Sequence, residues 1–354
     1  LSILYIISLK PLLIARITSL IIIIIYMISI KKYNHKMKHL WDAFIDESSN
    51  GTLFQKQSFL AYHVDRKFIN HSLLFYKNNT LVAVLSAALL IKQDKRIYYS
   101  HPGSSFGGFV INKKTSFEII NEIIKSLEEY LLKLNISSIV LILSPEKYWV
   151  NGDESLRYLL HWNSYKATEN YISHYVSFNN STPVSDLVSK RKKRYINKLT
   201  KENKITIKKG DNFNQFYALL IKSKESLGAI PTHSLEELKK LKKTFPHQIV
   251  LLSSTFNKKV VGGTLLFCIN SDVCLVFYNV VDEKFKGTQL ASLQLYNAML
   301  FAQKNNYQIL DFGVSHKPES LFPLSPKFSL INFKEQFGAR GCLRAVYQKE
   351  LDVK

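Results

Sequence analysis

Two stretches of the chain share one pattern of apolar and polar positions. In each, two apolar runs flank a short Asn/Lys turn and an aromatic run follows, at residues 71–90 and 96–100 in the first copy and residues 247–267 and 273–279 in the second. The turns are Asn78-Asn79 and Asn257-Lys258. Apolar runs joined by such short turns predict antiparallel hairpins.

Each copy continues with apolar residues at helical spacing that lead into another strand. In the first copy they run from Phe117 to Leu134 and precede the β-branched residues 136–143. In the second copy they run from Leu290 to Leu300 and precede residues 307–313. We therefore predict an α/β fold with α+β mixed sheets, built from two tandem domains. The alternative is a chance likeness between two ordinary α/β stretches.

A basic block separates the two copies. Residues 190–209 hold ten Lys or Arg and one acid, Glu202. Tyr195, Ile196 and Leu199 lie at helical spacing, which predicts an amphipathic basic helix that gives way to a strand. A further helix is predicted near Ser234, because Ser234 and Glu237 match an S-x-x-E capping box.

Residues 1–36 differ from the rest of the chain. They carry five basic residues and no acid, and their apolar run, residues 17–30, is shorter than the roughly 20 residues that a bilayer requires. This segment is either an anchor, whose basic end would stay in the cytoplasm, or an upstream stretch outside a protein that starts at Met37. The two domains are then expected at residues 37–180 and 181–354.

Composition excludes some classes of protein. At 46% apolar residues the chain is too hydrophobic to be disordered. Its three cysteines form no C-x-x-C pair and no H-E-x-x-H motif occurs, so we expect neither a disulfide framework nor a metal site, and we expect a cytoplasmic location. The 48 Lys and Arg outnumber the 27 Asp and Glu, giving a net charge of +21, which suits nucleic acid, anionic lipid or a phosphorylated substrate.

Six segments, in their order along the chain, resemble the FemAB-like branch of the GNAT acyltransferase superfamily, whose members have two GNAT-like domains. They are residues 41–63, 100–110, 189–203, 231–246, 310–315 and 332–340. The most specific is F-K-x-x-F-G at residues 333–338, which follows a D-F-G-x-S strand end. The resemblance implies a transferase that moves an acyl or aminoacyl group to an amine, often in cell-wall or surface-polysaccharide synthesis.

The resemblance also suggests where coenzyme A (CoA) would bind. GNAT domains hold the CoA pyrophosphate with an R/Q-x-x-G-x-G/A loop at a helix N-terminus. The equivalent position here is Lys284-Phe-Lys286-Gly287-Thr288-Gln289, in which Gln289 replaces the second glycine. Lys284, Lys286, Gly287 and Thr288 are thus the expected donor-binding residues. The departure puts acetyl-CoA use in doubt, and the alternative is a loop of solvated charges.

Two residues are candidates for catalysis. By the resemblance, Lys334 of the F-K-x-x-F-G motif would line the active site, where an ammonium stabilises a developing oxyanion or protonates the leaving group. Asp311 ends a strand and would act as a general base if it is partly buried. His233 and His316 lie near loops and could relay a proton. Each of the four could instead have a purely structural role.

Other residues are candidates for binding the substrate. The glycine-rich loop at residues 100–108 allows a close backbone approach, and in Fem-type enzymes the basic helix resembles the region that contacts the phosphates of the acceptor. Tyr278 ends the aromatic run of the second copy. The candidates are Ser104, Ser105, Gly107, Arg191, Arg194, Tyr195 and Tyr278. Packing and solvated charge remain the alternatives.

The leading interpretation is an N-acyltransferase that moves an acyl group from acyl-CoA to an amine of a cell-surface precursor, such as an amino sugar or peptidoglycan peptide. Direct attack by the amine, without a covalent enzyme intermediate, is the simpler mechanism and the one expected. One alternative is a Fem-type enzyme that uses aminoacyl-tRNA. Another is a degenerate enzyme, inactive because its phosphate-binding loop has departed from the GNAT pattern. A different class is a non-catalytic module that binds RNA or anionic membrane through residues 190–209. The expected partners are a phosphorylated or glycan-linked amine, tRNA and the inner face of the membrane.

Overall fold

The computed structural model describes residues 28–63, 66–179, 181–202, 204–317 and 324–352. Its strands are β1 (Ser29–Lys32), β2 (Ile69–Asn70), β3 (Leu73–Lys77), β4 (Thr80–Ser86), β5 (Ala88–Lys92), β6 (Lys95–Ser100), β7 (Gly108–Ile111), β8 (Ser138–Ile142), β9 (Lys166–Ser177), β10 (Ile205–Gly210), β11 (Ile249–Phe256), β12 (Lys259–Cys268), β13 (Val273–Val281), β14 (Ile309–Val314) and β15 (Arg340–Glu350).

Its helices are α1 (Lys38–Glu47), α2 (Gln57–Leu60), α3 (Phe117–Leu132), α4 (Ser155–Trp162), α5 (Val184–Leu187), α6 (Lys190–Glu202), α7 (Phe213–Glu225), α8 (Leu235–Thr244), α9 (Leu290–Lys304) and α10 (Phe328–Glu335). The basic helix α6, the strand that follows it and the capping box at the start of α8 confirm the expectations for this region.

The strands form an antiparallel sheet and a larger mixed sheet. The smaller has the order β1-β3-β4-β7, and the larger has the order β10-β11-β12-β13-β14-β9-β15-β8-β6-β5-β2. Among the described pairs only β13 with β14 and β6 with β8 are parallel. Each parallel pair is connected through a helix, α9 in the second half and α3 in the first, which is the βα unit that the repeat predicts. The predicted α/β fold with mixed sheets is confirmed.

The hairpin of each copy closes through the turn named above. Asn78 and Asn79 have φ of 46° and 64°, and Asn257 and Lys258 have φ of 47° and 63°. Two consecutive residues of positive φ match the right-handed twist of the flanking strands. The first copy departs from the second after the turn, because its second apolar run breaks at Ala87 and places β4 in the small sheet and β5 in the large one.

The two halves share one core and one sheet. Phe54 of the first half stacks on Phe267 of the second with ring centroids 6.0 Å apart. The C-terminal strand β15 lies between β9 and β8, so it completes the sheet of the first half. A division at residue 180 therefore separates two repeats of the chain but does not separate two independent sheets.

The folded part of the chain begins before Met37. Strand β1 pairs antiparallel with β3, and Ile28 is 7% exposed. Tyr33 packs edge-on against the buried Trp41 with ring centroids 5.5 Å apart. The end of the apolar N-terminal run is thus an edge strand, and the rest of the run, with the anchor expected there, lies outside the described residues. No helix in the described part is long and apolar enough to cross a membrane.

Candidate functional site

A cleft opens where β13 and β14 separate. The two strands pair only over Val273–Leu275 and Ile309–Asp311. Beyond these residues lies a cavity of about 340 Å³. Polar and aromatic side chains from both halves line it, namely Ser105, Phe106, Tyr148, Ser173, Lys224, Phe277, Asp311 and Arg344.

Irregularities in both strands create this cleft. In β13 the register against β12 shifts so that Leu265 faces Tyr278 and Leu266 faces Val276, which leaves Phe277 as the extra residue of a β-bulge. In β14, Gly313 has φ of +77°, a conformation that glycine adopts without strain. Because β13 has no partner beyond Leu275 on the side of β14, its backbone N–H and C=O groups there are available to a ligand.

Asp311 lies at the base of the cleft and is 1% exposed. Its carboxylate accepts hydrogen bonds from Ser173 Oγ at 2.6 Å, from Gly313 N at 2.5 Å and from the hydroxyl of Tyr148. Burial and the neighbouring carboxylate raise the pKa of Tyr148 well above its usual value. The Asp311–Tyr148 pair is therefore a carboxylate with a phenol that stays protonated, both lining the cleft.

Lys334 lies behind this site rather than in it. Its Nζ donates to Gly313 O at 2.6 Å, Val314 O at 3.0 Å and Ser315 Oγ at 2.9 Å. Ser315 Oγ is in turn 2.9 Å from Nδ1 of His174. Burial lowers the pKa of Lys334 to about 8, against the opposing effect of Asp311. With all three N–H groups bonded to the protein, Lys334 holds the turn that ends β14.

Arg344 of β15 also lines the cleft, together with Ser173 and Tyr148. Its guanidinium lies over the rings of Phe106, at 5.0 Å from the centroid, and Tyr171, at 5.4 Å. Its Nε is buried with no hydrogen-bond partner. Neither Arg344 nor Tyr148 nor Ser173 was a candidate from the sequence, since none belongs to a recognisable motif.

The glycine-rich loop contributes one residue to the cleft. Ser105 lines it, whereas the hydroxyl of Ser104 donates to Phe54 O at 2.8 Å. Gly107 binds Ile142 O through its N–H at 2.7 Å, and a Cβ on it would lie 2.6 Å from the carbonyl of Ser100. Ser104 and Gly107 therefore serve to pack the loop.

Tyr278 and the two histidines face other parts of the structure. The hydroxyl of Tyr278 accepts from Thr232 N at 3.1 Å and lies 3.2 Å from Nδ1 of His233. Burial lowers the pKa of His233 to about 4. His316 accepts from Ile172 N at 2.8 Å and stacks on Tyr171. None of the three lines the cleft.

The candidate CoA loop forms a short 3-10 helix, Glu283–Thr288, directly before α9. Lys286 pairs with Glu283 at 2.7 Å, and Thr288 Oγ1 donates to Phe285 O at 2.7 Å. Lys284 is exposed, and the space around Gly287 is open. The loop thus has two exposed lysines, of which Lys286 pairs with Glu283, and an accessible backbone at the N-terminus of α9.

The candidates on α6 lie together on an outer face. The guanidinium carbons of Arg191 and Arg194 are 6.0 and 5.7 Å from the ring centroid of Tyr195, and hydrogen bonding to Arg191 first, then its charge, lowers the pKa of Tyr195. An open groove of about 690 Å³ runs along this helix, lined mainly by basic residues. Lys192 points inward instead, and its Nζ binds Gln289 Oε1 at 2.9 Å, which joins α6 to the start of α9.

The described residues contain no group of three or more His, Cys, Asp and Glu that could hold a metal ion. Cys268 and Cys274 face each other across β12 and β13 with their Sγ atoms 3.2 Å apart, and both are free and buried.

Comparisons with solved structures identify the fold. FemX superposes with a TM-score of 0.70 at 12% identity, covering 91% of this chain and 98% of its own. L-PGS from Bacillus licheniformis gives a TM-score of 0.53 at 12% identity over 87% of this chain and 90% of its own. A tandem GNAT protein from the clavulanic acid biosynthesis pathway gives 0.52 at 7% identity over 92% and 99%.

No protein-family model matches the sequence, and no curated protein does. The likeness is therefore one of structure, and it agrees with the order of the six segments along the sequence. The chain has a two-domain GNAT-like fold like that of FemX and of the tandem GNAT protein.

Proposed function

We propose that this protein is an N-acyltransferase that moves an acyl group, supplied by acyl-CoA, to an amine of a cell-surface precursor such as an amino sugar or a peptidoglycan peptide. The observation that carries the proposal is the cleft between β13 and β14, with the Asp311–Tyr148 pair at its base, in a tandem GNAT-like fold. Among the similar proteins, the tandem GNAT protein was solved without AcCoA. Another similar structure is the C-terminal domain of a putative lysylphosphatidylglycerol synthetase.

The reaction would proceed by direct attack of the neutral amine on the thioester carbonyl. The N–C bond forms, negative charge develops on the carbonyl oxygen, and backbone N–H groups near the Phe277 bulge are placed to bind that oxygen. Collapse of the intermediate breaks the C–S bond. The amine gives a proton to the oxygen of Tyr148 while Tyr148 passes its own proton to Asp311. As the C–S bond breaks, Tyr148 passes the proton from the amine to the sulfur of the departing CoA and takes its own back from Asp311.

The position of the candidate diphosphate loop suits this donor. About 16 Å of strand separates Phe277 from Asp282, where the loop begins, a length that an extended pantetheine arm spans. The N-terminus of α9 favours an anion there, and Lys284 adds an exposed ammonium. Lys284, Gly287 and the backbone around them would hold the diphosphate, whereas Lys286 is shared with Glu283.

An aminoacyl-tRNA donor is the second candidate, and one observation favours it. The open basic groove on α6 is lined by Lys190, Lys193, Arg194, Lys198 and Lys201. Such a row of cations suits a phosphate backbone or the anionic surface of a membrane, and binding there would weaken steeply with salt. In this version of the proposal α6 binds the tRNA and the cleft receives the aminoacyl group.

The experiment is a transfer assay with the full chain. Labelled acetyl-CoA, longer acyl-CoAs and charged tRNA are each incubated with amino sugars, peptides carrying a free amine and a bacterial lysate, and N-acylated products are identified by mass spectrometry. Transfer from acyl-CoA supports the proposal, and transfer only from charged tRNA replaces the donor. The absence of transfer from all donors, together with salt-sensitive binding of RNA or anionic vesicles that Lys193→Gln, Lys198→Gln and Lys201→Gln abolish, would indicate a non-catalytic basic module instead.

A further inference from the structure

Arg344 carries a charge that the described residues do not neutralise. No hydrogen bond or ion pair joins its guanidinium to any described residue, and its Nε has neither exposed surface nor a partner. Contacts with the rings of Phe106 and Tyr171 are its principal interactions. A guanidinium has five N–H donors, and leaving them without acceptors in a largely buried place is strongly unfavourable.

Asp311, the nearest acid of the cleft, does not serve as the missing counter-ion. Its two oxygens already accept from Ser173, Gly313 and Tyr148. No hydrogen bond or ion pair joins it to Arg344, although its charge opposes the lowering of the Arg344 pKa by burial. Lys224 is a second cation that lines the cleft, with its Nζ 5.9 Å from the centroid of the Tyr278 ring. The cleft therefore offers two cations against one carboxylate whose hydrogen-bonding capacity is largely used.

We propose that Arg344 binds a free carboxylate of the substrate in this cleft, so that the acceptor amine belongs to an amino acid or peptide. The planar guanidinium matches the two oxygens of a carboxylate in a bidentate pair. The cavity of about 340 Å³, with the apolar walls Phe106, Phe277 and Phe312, suits a compact amino-acid unit. A guanidinium also binds phosphate in a bidentate pair, and the titration below distinguishes the two anions.

This inference rests on the proposed function only for the identity of the ligand as an acceptor. Binding of a carboxylate by Arg344 is measurable without any donor. The test uses protein labelled with ¹⁵N-arginine and follows the Nε–H signal of Arg344 during titration with sodium formate, sodium acetate or inorganic phosphate at constant ionic strength, with chloride as reference. The signal of Arg344 is the one that disappears in Arg344→Lys. If that variant does not fold, Phe106→Leu assigns the signal instead, because removal of the Phe106 ring changes the chemical shift of the guanidinium that lies over it.

We expect formate and acetate to shift the Arg344 signal saturably at millimolar concentration, and to leave the signal of Arg340, on the same strand, unchanged. A stronger saturable response to phosphate would overturn the carboxylate assignment in favour of a phosphorylated substrate. Equal responses to chloride and carboxylate, or no response, would overturn the site altogether.

A second readout applies once a transferable amine is known. For a matched pair of acceptors, one with a free carboxylate and one with the carboxamide, Arg344→Lys is expected to raise the KM of the carboxylate form about tenfold and leave that of the carboxamide unchanged. Arg340→Lys serves as the control, because Arg340 is exposed and, among the described residues, its side chain donates only to Ala339 O. If Arg344 binds carboxylates but no acyl transfer is detected, the proposed reaction is refuted and the carboxylate site stands. If transfer occurs and Arg344→Lys changes the KM of the carboxylate and carboxamide acceptors equally, the carboxylate site alone is refuted.

Discussion

The ammonium of Lys334 binds the carbonyl of Gly313, the residue whose N–H binds Asp311. The lysine of the F-K-x-x-F-G motif thus fixes the position of the cleft carboxylate through a single residue, Gly313, without lining the cleft itself. Its influence on the reaction would pass through the geometry of the turn at residues 313–315. This differs from the role in which an ammonium stabilises the oxyanion directly.

Replacement of Lys334 by methionine should therefore change the pH dependence of stability in a defined way. The pKa of Lys334 is about 8 in the folded chain, below its usual value of 10.5. Between pH 8 and pH 10.5 the unfolded wild-type chain binds more protons at Lys334 than the folded chain does. The free energy of unfolding of the wild type, relative to that of Lys334→Met, should therefore rise with pH by on the order of 3 kcal/mol between these two values. Urea unfolding of both proteins from pH 7 to 10.5 measures it, and Lys304→Met is an exposed control. A difference that stays flat across this range would mean that the ammonium is not buried.

Replacement of Tyr148 by phenylalanine should affect turnover more than binding. The variant removes the hydroxyl that donates to Asp311 and accepts the proton of the amine in the proposed step. We expect kcat to fall about 100-fold, within the range of lost acid–base catalysis, with little change in KM. Tyr158→Phe is a matched control, since Tyr158 is 55% exposed. Equal kcat values for the two variants would exclude Tyr148 from proton transfer.

Acid should destabilise the fold through buried histidines. Burial lowers the pKa of His233 to about 4 and that of His101 to about 3. In the unfolded chain these histidines take up protons near pH 6.5, whereas in the folded chain they stay neutral to a lower pH. Their contribution to the free energy of unfolding is therefore complete above about pH 6.5 and is lost as the pH falls toward the folded pKa. At pH 5 the loss is about 2 kcal/mol per histidine. His233→Gln should lose less stability than the wild type between pH 7 and 5 in urea unfolding. An identical loss in both proteins would show that folding does not lower the pKa of His233.

Removal of strand β1 should weaken the small sheet. A chain that starts at Met37 lacks the partner of β3 and exposes the edge of a strand whose residues Leu73 to Phe75 are fully buried. It also loses Ile28 and the Tyr33–Trp41 contact, which together correspond to about 3 kcal/mol of apolar burial. Thermal unfolding of this chain beside one that starts at Ile28 should give a lower Tm for the shorter chain. Equal Tm values would mean that β1 adds nothing to the fold.

Local patterns predicted the elements that local interactions determine. The hairpin turns at Asn78-Asn79 and Asn257-Lys258, the basic helix and the Ser234–Glu237 capping box all depend on residues a few positions apart. The surroundings of Asp311 depend on distant ones, because Tyr148 precedes it by 163 positions and Ser173 by 138. No periodicity or motif relates such residues. The insertion of β15 between β8 and β9 was hidden for the same reason, since strand pairing across the whole chain leaves no local signal.

The most direct test of the central claim, that the cleft between β13 and β14 is the site of acyl transfer, is the rate of product formation by Asp311→Asn under single-turnover conditions. Asp94→Asn is the matched control, because Asp94 is exposed in the turn between β5 and β6, outside the cleft. We expect Asp94→Asn to retain a rate near that of the wild type and Asp311→Asn to lose at least about 100-fold. A wild-type rate in Asp311→Asn would contradict the assignment of the reaction to this cleft.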